Sequence, residues 1–78
     1  MENGKFDLSR LNGRIVEKFG TREKFAWACG LSPGKLYPRL RGIVPFRADE
    51  ISIITEVLDI PPEEIPEYFF KPQFEKSN

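Results

Sequence analysis

The chain has 78 residues, enough for one small domain with a thin buried core. With no histidine and a single cysteine it supplies no zinc site, no histidine base for acyl transfer and no internal disulfide. The net charge of zero hides a division: residues 1–47 hold ten Lys/Arg against four acids, +6, and residues 48–78 hold two against eight, −6. Such a split points either to nucleic-acid contact by the basic half or to a dipolar, well-solvated surface.

The opening MENGKFDLSR has no apolar signal-peptide core, and no apolar run approaches the roughly 18 residues of a spanning helix. A soluble protein of the reducing cytoplasm is the expectation, with no membrane partner. Acidic pairs such as Glu63-Glu64 stand between prolines and read as solvated surface. No enzyme, cofactor, metal or small-molecule substrate is expected.

In chain order, Met1 to Lys5 reads as a loose start. A first helix is predicted from Asp7 or Ser9, both good capping residues, with Leu8, Leu11, Ile15 and Phe19 as its apolar stripe and Gly20 as its end. Thr21 caps a second helix whose inward face is Phe25, Ala26 and Cys29. Gly30 supplies a sharp turn and Leu31 an apolar plug beneath it. Ser32 caps a third helix with Pro33 at its first position; Leu36 and Leu40 face the core and Gly42 stops it. Ile43-Val44-Pro45-Phe46 reads as an extended connector.

Asp49 and Glu50 load the first turn of a fourth helix, with Ile51, Ile54, Val57 and Leu58 on its apolar face. Pro61 and Pro62 end it, Glu63 to Tyr68 forms a short fifth helical turn, and Phe69, Phe70 and Phe74 are expected to fold back onto the core. Cys29 reads as an apolar filler. Trp27 points partly outward, either lying along the domain surface or serving as a protein contact.

Ala26, Gly30, Leu31-Ser32 and Leu36 resemble the spine of the Cro and phage-repressor type of helix-turn-helix. The flanks LNGRIVEKFGT, RLRGIVPF and DEISIITEVLDIPPEEIPEYFF extend the resemblance over roughly residues 6 to 70. It is similar to a group of small single-domain phage and prophage repressors. The resemblance implies an all-α, lambda-repressor-like domain over residues 1–78: a compact bundle of about five short helices with the helix-turn-helix at about 21–42. It further implies a repressor or Cro-like regulator of double-stranded operator DNA, acting in the bacterial host cytoplasm at the nucleoid. Family members usually bind as dimers, which makes a homodimer an expected partner. Any dimer would use the fourth and fifth helices or the tail.

In that family the bases meet the start and outward face of the third helix, here Ser32, Pro33, Gly34, Lys35, Tyr37, Pro38 and Arg41. Lys35 and Arg41 would donate to guanine edges or phosphates, and Tyr37 would contact a phosphate or a thymine methyl. At the entrance of the second helix, free N–H groups attract an anion, which places Thr21, Arg22 and Lys24 on phosphates. Arg39 and Arg47 are candidate clamps on the other side.

Pro38 departs from the family pattern. In a helix interior it removes a hydrogen bond to Gly34 and costs about 3 kcal/mol. A third helix that starts late, near Lys35, or one that is shortened or kinked is therefore expected. Pro33, Gly34 and Pro38 offer no hydrogen-bonding side chain, so base discrimination would rest on Ser32, Lys35, Tyr37, Arg41 and DNA shape. This poverty, the outward Trp27 and the acidic second half motivate an alternative: a protein-interaction module on the same fold, an antirepressor or adaptor.

Overall fold

A computed structural model of the chain describes residues 6–72. The apolar stripes close around one another as helices α1 (Ser9–Phe19), α2 (Arg22–Cys29), α3 (Pro33–Leu40), α4 (Ala48–Leu58) and α5 (Ile65–Phe69), the last preceded by a 3-10 turn over Pro62–Glu64. No strand forms among the described residues; Phe6 and Pro72 make a single antiparallel bridge that joins the two ends. Met1 to Lys5 and Phe74 lie outside the described residues.

Each helix start follows from local chemistry. Asp7 does not cap α1 from the adjoining position; its carboxylate accepts the Ser9 N–H at 2.9 Å and the Ser9 hydroxyl at 2.7 Å. Those two bonds hold the Asp7 carboxyl below its ordinary range. The Thr21 and Ser32 hydroxyls accept the N–H groups of Lys24 (3.1 Å) and Lys35 (3.3 Å), so α2 and α3 both begin with a side-chain cap. Pro33 occupies the first position of α3, where no N–H is needed.

Three helix ends share one device. The N–H of Leu31 reaches the carbonyl of Ala26, that of Ile43 reaches Pro38, and that of Ile60 reaches Thr55. The preceding N–H of each pair closes the inner bond, from Gly30 to Trp27, Gly42 to Arg39 and Asp59 to Glu56. These are Schellman ends, which require a left-handed residue. Gly30 (φ 74°) and Gly42 (φ 81°) take it freely, and Asp59 takes it at φ 55°.

The core is centred on Leu11, Ile15, Phe25, Leu36, Ile54, Leu58 and Phe69, all essentially inaccessible to solvent. Phe19 tilts against Phe25, and Phe46 meets Phe69 edge-on with ring centroids 5.3 Å apart. Phe69 is thus a core residue at the end of α5, whereas Phe70, expected to fold inward with it, stays 46% exposed. Cys29 is buried, and burial pushes its thiol up to about 11.

Candidate functional site

Helices α2 and α3 meet at the left-handed turn of Gly30, with Leu31 packed against the core beneath it. The third helix starts at Pro33, not near Lys35, because the Ser32 cap and the prolyl φ at its first position stabilise that start. It runs eight residues and ends two beyond Pro38, whose carbonyl becomes the acceptor of the Schellman end. Proline therefore sits in the last turn of a short helix.

The structure distributes the sequence-predicted residues unevenly. Thr21, Arg22 and Lys24 are exposed at the start of α2; Ser32, Lys35 and Arg41 are exposed along α3 and its end; Tyr37 is half-buried against the core. The Ser32 hydroxyl is engaged as a cap. Trp27 projects from α2 at 66% exposure, with exposed Ala28 beside it.

The two expected clamps are engaged within the protein. Arg39 has a side chain only 14% exposed; its Nε donates to Glu50 at 2.8 Å and its Nη1 to the Lys35 carbonyl at 2.8 Å. Its side chain is thereby withdrawn from the contact face expected for it. The physical reason is Glu50. This residue, in the first turn of α4, is 4% exposed, where its carboxylate needs a cation, and it also accepts the Arg47 backbone N–H at 2.8 Å. Arg47 remains exposed, with its Nε on Asp49 at 3.2 Å; that bond depresses the Asp49 carboxyl.

These pairings redraw the charge map. Among the described residues, Arg10 pairs with Glu67 at 3.3 Å and lies over the Tyr68 ring. Lys18 pairs with Asp59 at 2.8 Å, and Arg14 approaches Glu17 while donating twice to the Leu58 carbonyl at the end of α4. Apart from Lys71 near the chain end, the described cations outside any such ion pair are Arg22, Lys24, Lys35 and Arg41, all on α2, α3 or the α3 end. Only Glu23 supplies an acid between Thr21 and Arg41. The cross-pairing of basic and acidic halves thus concentrates the uncompensated positive charge on one two-helix unit.

Sequence reasoning missed Asn12. Its Nδ2 donates to the carbonyls of Leu8 (2.9 Å) and Leu40 (3.2 Å), and its Oδ1 accepts Arg22 Nε at 3.0 Å. The available signal was a polar residue directly beside the Leu8/Leu11/Ile15 stripe. The Arg39–Glu50 pair had no local signal, since its partners stand eleven residues apart on different helices.

An apolar groove of about 320 Å³ lies between the connector and the chain ends, lined by Phe6, Ile43, Val44, Phe46 and Phe70 among others. No helix among the described residues is long and apolar enough to cross a membrane.

Comparison with known proteins places this architecture. A solved structure, the solution structure of the modulator of repression (MOR) of the temperate bacteriophage TP901-1 from Lactococcus lactis, superposes with a TM-score of 0.75 at 42% identity. The match covers 85% of this chain and 89% of that one, so the chain shares its fold with a small phage regulator. No curated protein matches. A family model described as "Protein of unknown function (DUF739)" matches residues 4–72, and the chain belongs to that family.

Proposed function

We propose that this chain is a phage or prophage regulator that modulates repression by binding another protein of the repression circuit through its α2–α3 face. The observation that carries the reading is the makeup of that face. Trp27 stands 66% exposed on α2, where a large amphipathic ring serves as a contact anchor. On α3, Pro33, Gly34 and Pro38 present no hydrogen-bonding side chain, which leaves little with which to read bases. The likeness to a modulator of repression supports the same reading. The cations around the face favour a partner surface rich in carboxylates.

The test is co-elution of the purified chain with the repressor protein of the phage or prophage genome that carries it. A complex is expected that Trp27→Ala weakens about 30-fold while the variant stays folded, as for a hot-spot residue of about 2 kcal/mol. No complex with that repressor, or a complex indifferent to both Trp27 and Arg41, rejects the reading.

A second reading, direct binding of operator DNA as a repressor or Cro-like helix-turn-helix protein, is favoured by one specific observation: Arg22, Lys24, Lys35 and Arg41 are outside the ion pairs, the first three within the opening turns of two side-chain-capped helices and Arg41 at the end of α3. Selection from a random duplex pool at two salt concentrations separates the two. Enriched sequences whose binding falls steeply with salt and with Lys35→Ala establish the DNA reading; no binding at low salt removes it.

A further inference from the structure

We infer that Asn12 is a positioning residue for the α2–α3 face: it fixes Arg22 so that the outer nitrogens of the guanidinium form a ready fork for a carboxylate of the partner protein. The inference rests on the protein-binding reading above.

Asn12 is half-buried and its amide is fully oriented by its surroundings. The Nδ2 group faces the Leu8 and Leu40 carbonyls, and Oδ1 faces the Arg22 Nε–H. A flipped amide would set oxygen against two carbonyls and N–H groups against an N–H, so a single orientation satisfies the site. Leu40 is the last residue of α3 and Arg22 the first of α2. One side chain from α1 thereby joins the end of one face helix to the start of the other.

The consequence falls on Arg22. Its Nε is held, and its Nη1 and Nη2 make no hydrogen bond among the described residues. Fixing Nε fixes the guanidinium plane, and a planar fork held in place loses less freedom when it takes a carboxylate bidentately. The other face cations differ: the side chains of Lys24, Lys35 and Arg41 make no hydrogen bond among the described residues, so each acts as a mobile charge. Arg39 and Arg47 differ in the other direction, since carboxylates both hold and neutralise them. A neutral amide at position 12 supplies orientation without neutralisation.

The experiment measures binding of the full chain to two probes, poly-L-glutamate and a short duplex of random sequence. Wild type is compared with Arg22→Ala, Asn12→Ala, the double variant and Lys35→Ala. Arg22→Ala and Asn12→Ala are each expected to weaken polyglutamate binding by about threefold, the range of an exposed ionic contact, with the double variant no weaker than either. Lys35→Ala should add to Asn12→Ala independently. If Arg22→Ala weakens binding and Asn12→Ala does not, or if their effects simply add, the positioning role is overturned while the contact face stands. If neither Arg22→Ala nor Lys35→Ala changes anything, the face itself is wrongly assigned. Coupling seen with the duplex and absent with polyglutamate overturns the carboxylate assignment in favour of phosphate. A measurement on the wild type guards against an unfolded variant: the Arg22 Nε–H signal should exchange slowly with water, and exchange as fast as that of Arg41 overturns the proposal.

Discussion

Glu50 is buried beside the apolar core and is paired there by Arg39, which their places on separate helices did not announce. A carboxylate at 4% exposure is tolerated because it receives two donors, Arg39 Nε and the Arg47 N–H, at 2.8 Å each. Removing one partner of such a pair is worse than removing both, because it strands a charge. Arg39→Met should therefore lower stability by about 3 kcal/mol, while Glu50→Gln, which still accepts the Arg47 N–H, costs about 1 kcal/mol. The double variant should recover to near the Glu50→Gln value; urea denaturation that finds the losses additive removes this account. Trp27 is the opposite case. At 66% exposure its truncation should leave urea stability within about 0.5 kcal/mol, so any loss of partner binding by Trp27→Ala reports contact.

At the scale of the element, α3 shows why some of the fold was legible and some was not. Capping at Ser32, the prolyl first position, the Leu36 and Leu40 pair and the stop at Gly42 are all local, and each appears where its chemistry predicts. Pro38 demanded a compromise that local rules could not choose. The helix keeps its early start and ends soon after the proline, whose carbonyl then serves the N–H groups of Ile43 and Val44. What was not legible is what depends on distant partners: the inward turn of Glu50, the withdrawal of Arg39 and the bridge made by Asn12. The candidate site shows the same limit. Its α3 residues were implied by the family resemblance and its α2 residues by the free N–H groups of a helix start, but which cations stay outside ion pairs depends on contacts up to 57 residues away. Because Pro38 denies Gly34 its helical donor, Pro38→Ala should stabilise the domain by about 2 kcal/mol and raise its melting temperature by roughly 10 °C. Calorimetry giving an unchanged or lower melting temperature would mean that the proline is compensated by a contact it alone makes. Gly30→Ala should act in the other direction, by about 1 kcal/mol. Its space is open, so the penalty is that of the left-handed backbone alone.

At the scale of the molecule, the +6 and −6 halves do not face solvent as a bare dipole; they are stitched together by Arg10–Glu67, Lys18–Asp59 and Arg39–Glu50. Asp59 is the point where this stitching meets the backbone. It takes the left-handed position that ends α4, and its carboxylate holds Lys18 of α1 at 2.8 Å. That hydrogen bond and the charge of Lys18 set the Asp59 carboxyl below its ordinary value of 3.8. The sign of the linkage follows. A depressed carboxyl contributes stability that is present above the unfolded value, near pH 4, and is lost as pH falls through the folded value. Asp7, depressed by its bonds to Ser9, acts in the same direction and the same window. Stability should thus be flat from neutrality to about pH 4 and fall below it. Asn tolerates the left-handed backbone as Asp does but carries no titrating group, so Asp59→Asn isolates the charge. The variant should be less stable than wild type at neutral pH and should converge on it in acid, as the wild-type carboxyl takes up its proton. Parallel curves from pH 7 to pH 2, read by urea denaturation at each pH, would show that Lys18–Asp59 adds nothing to folding and that the two halves are held by their apolar faces and the remaining pairs.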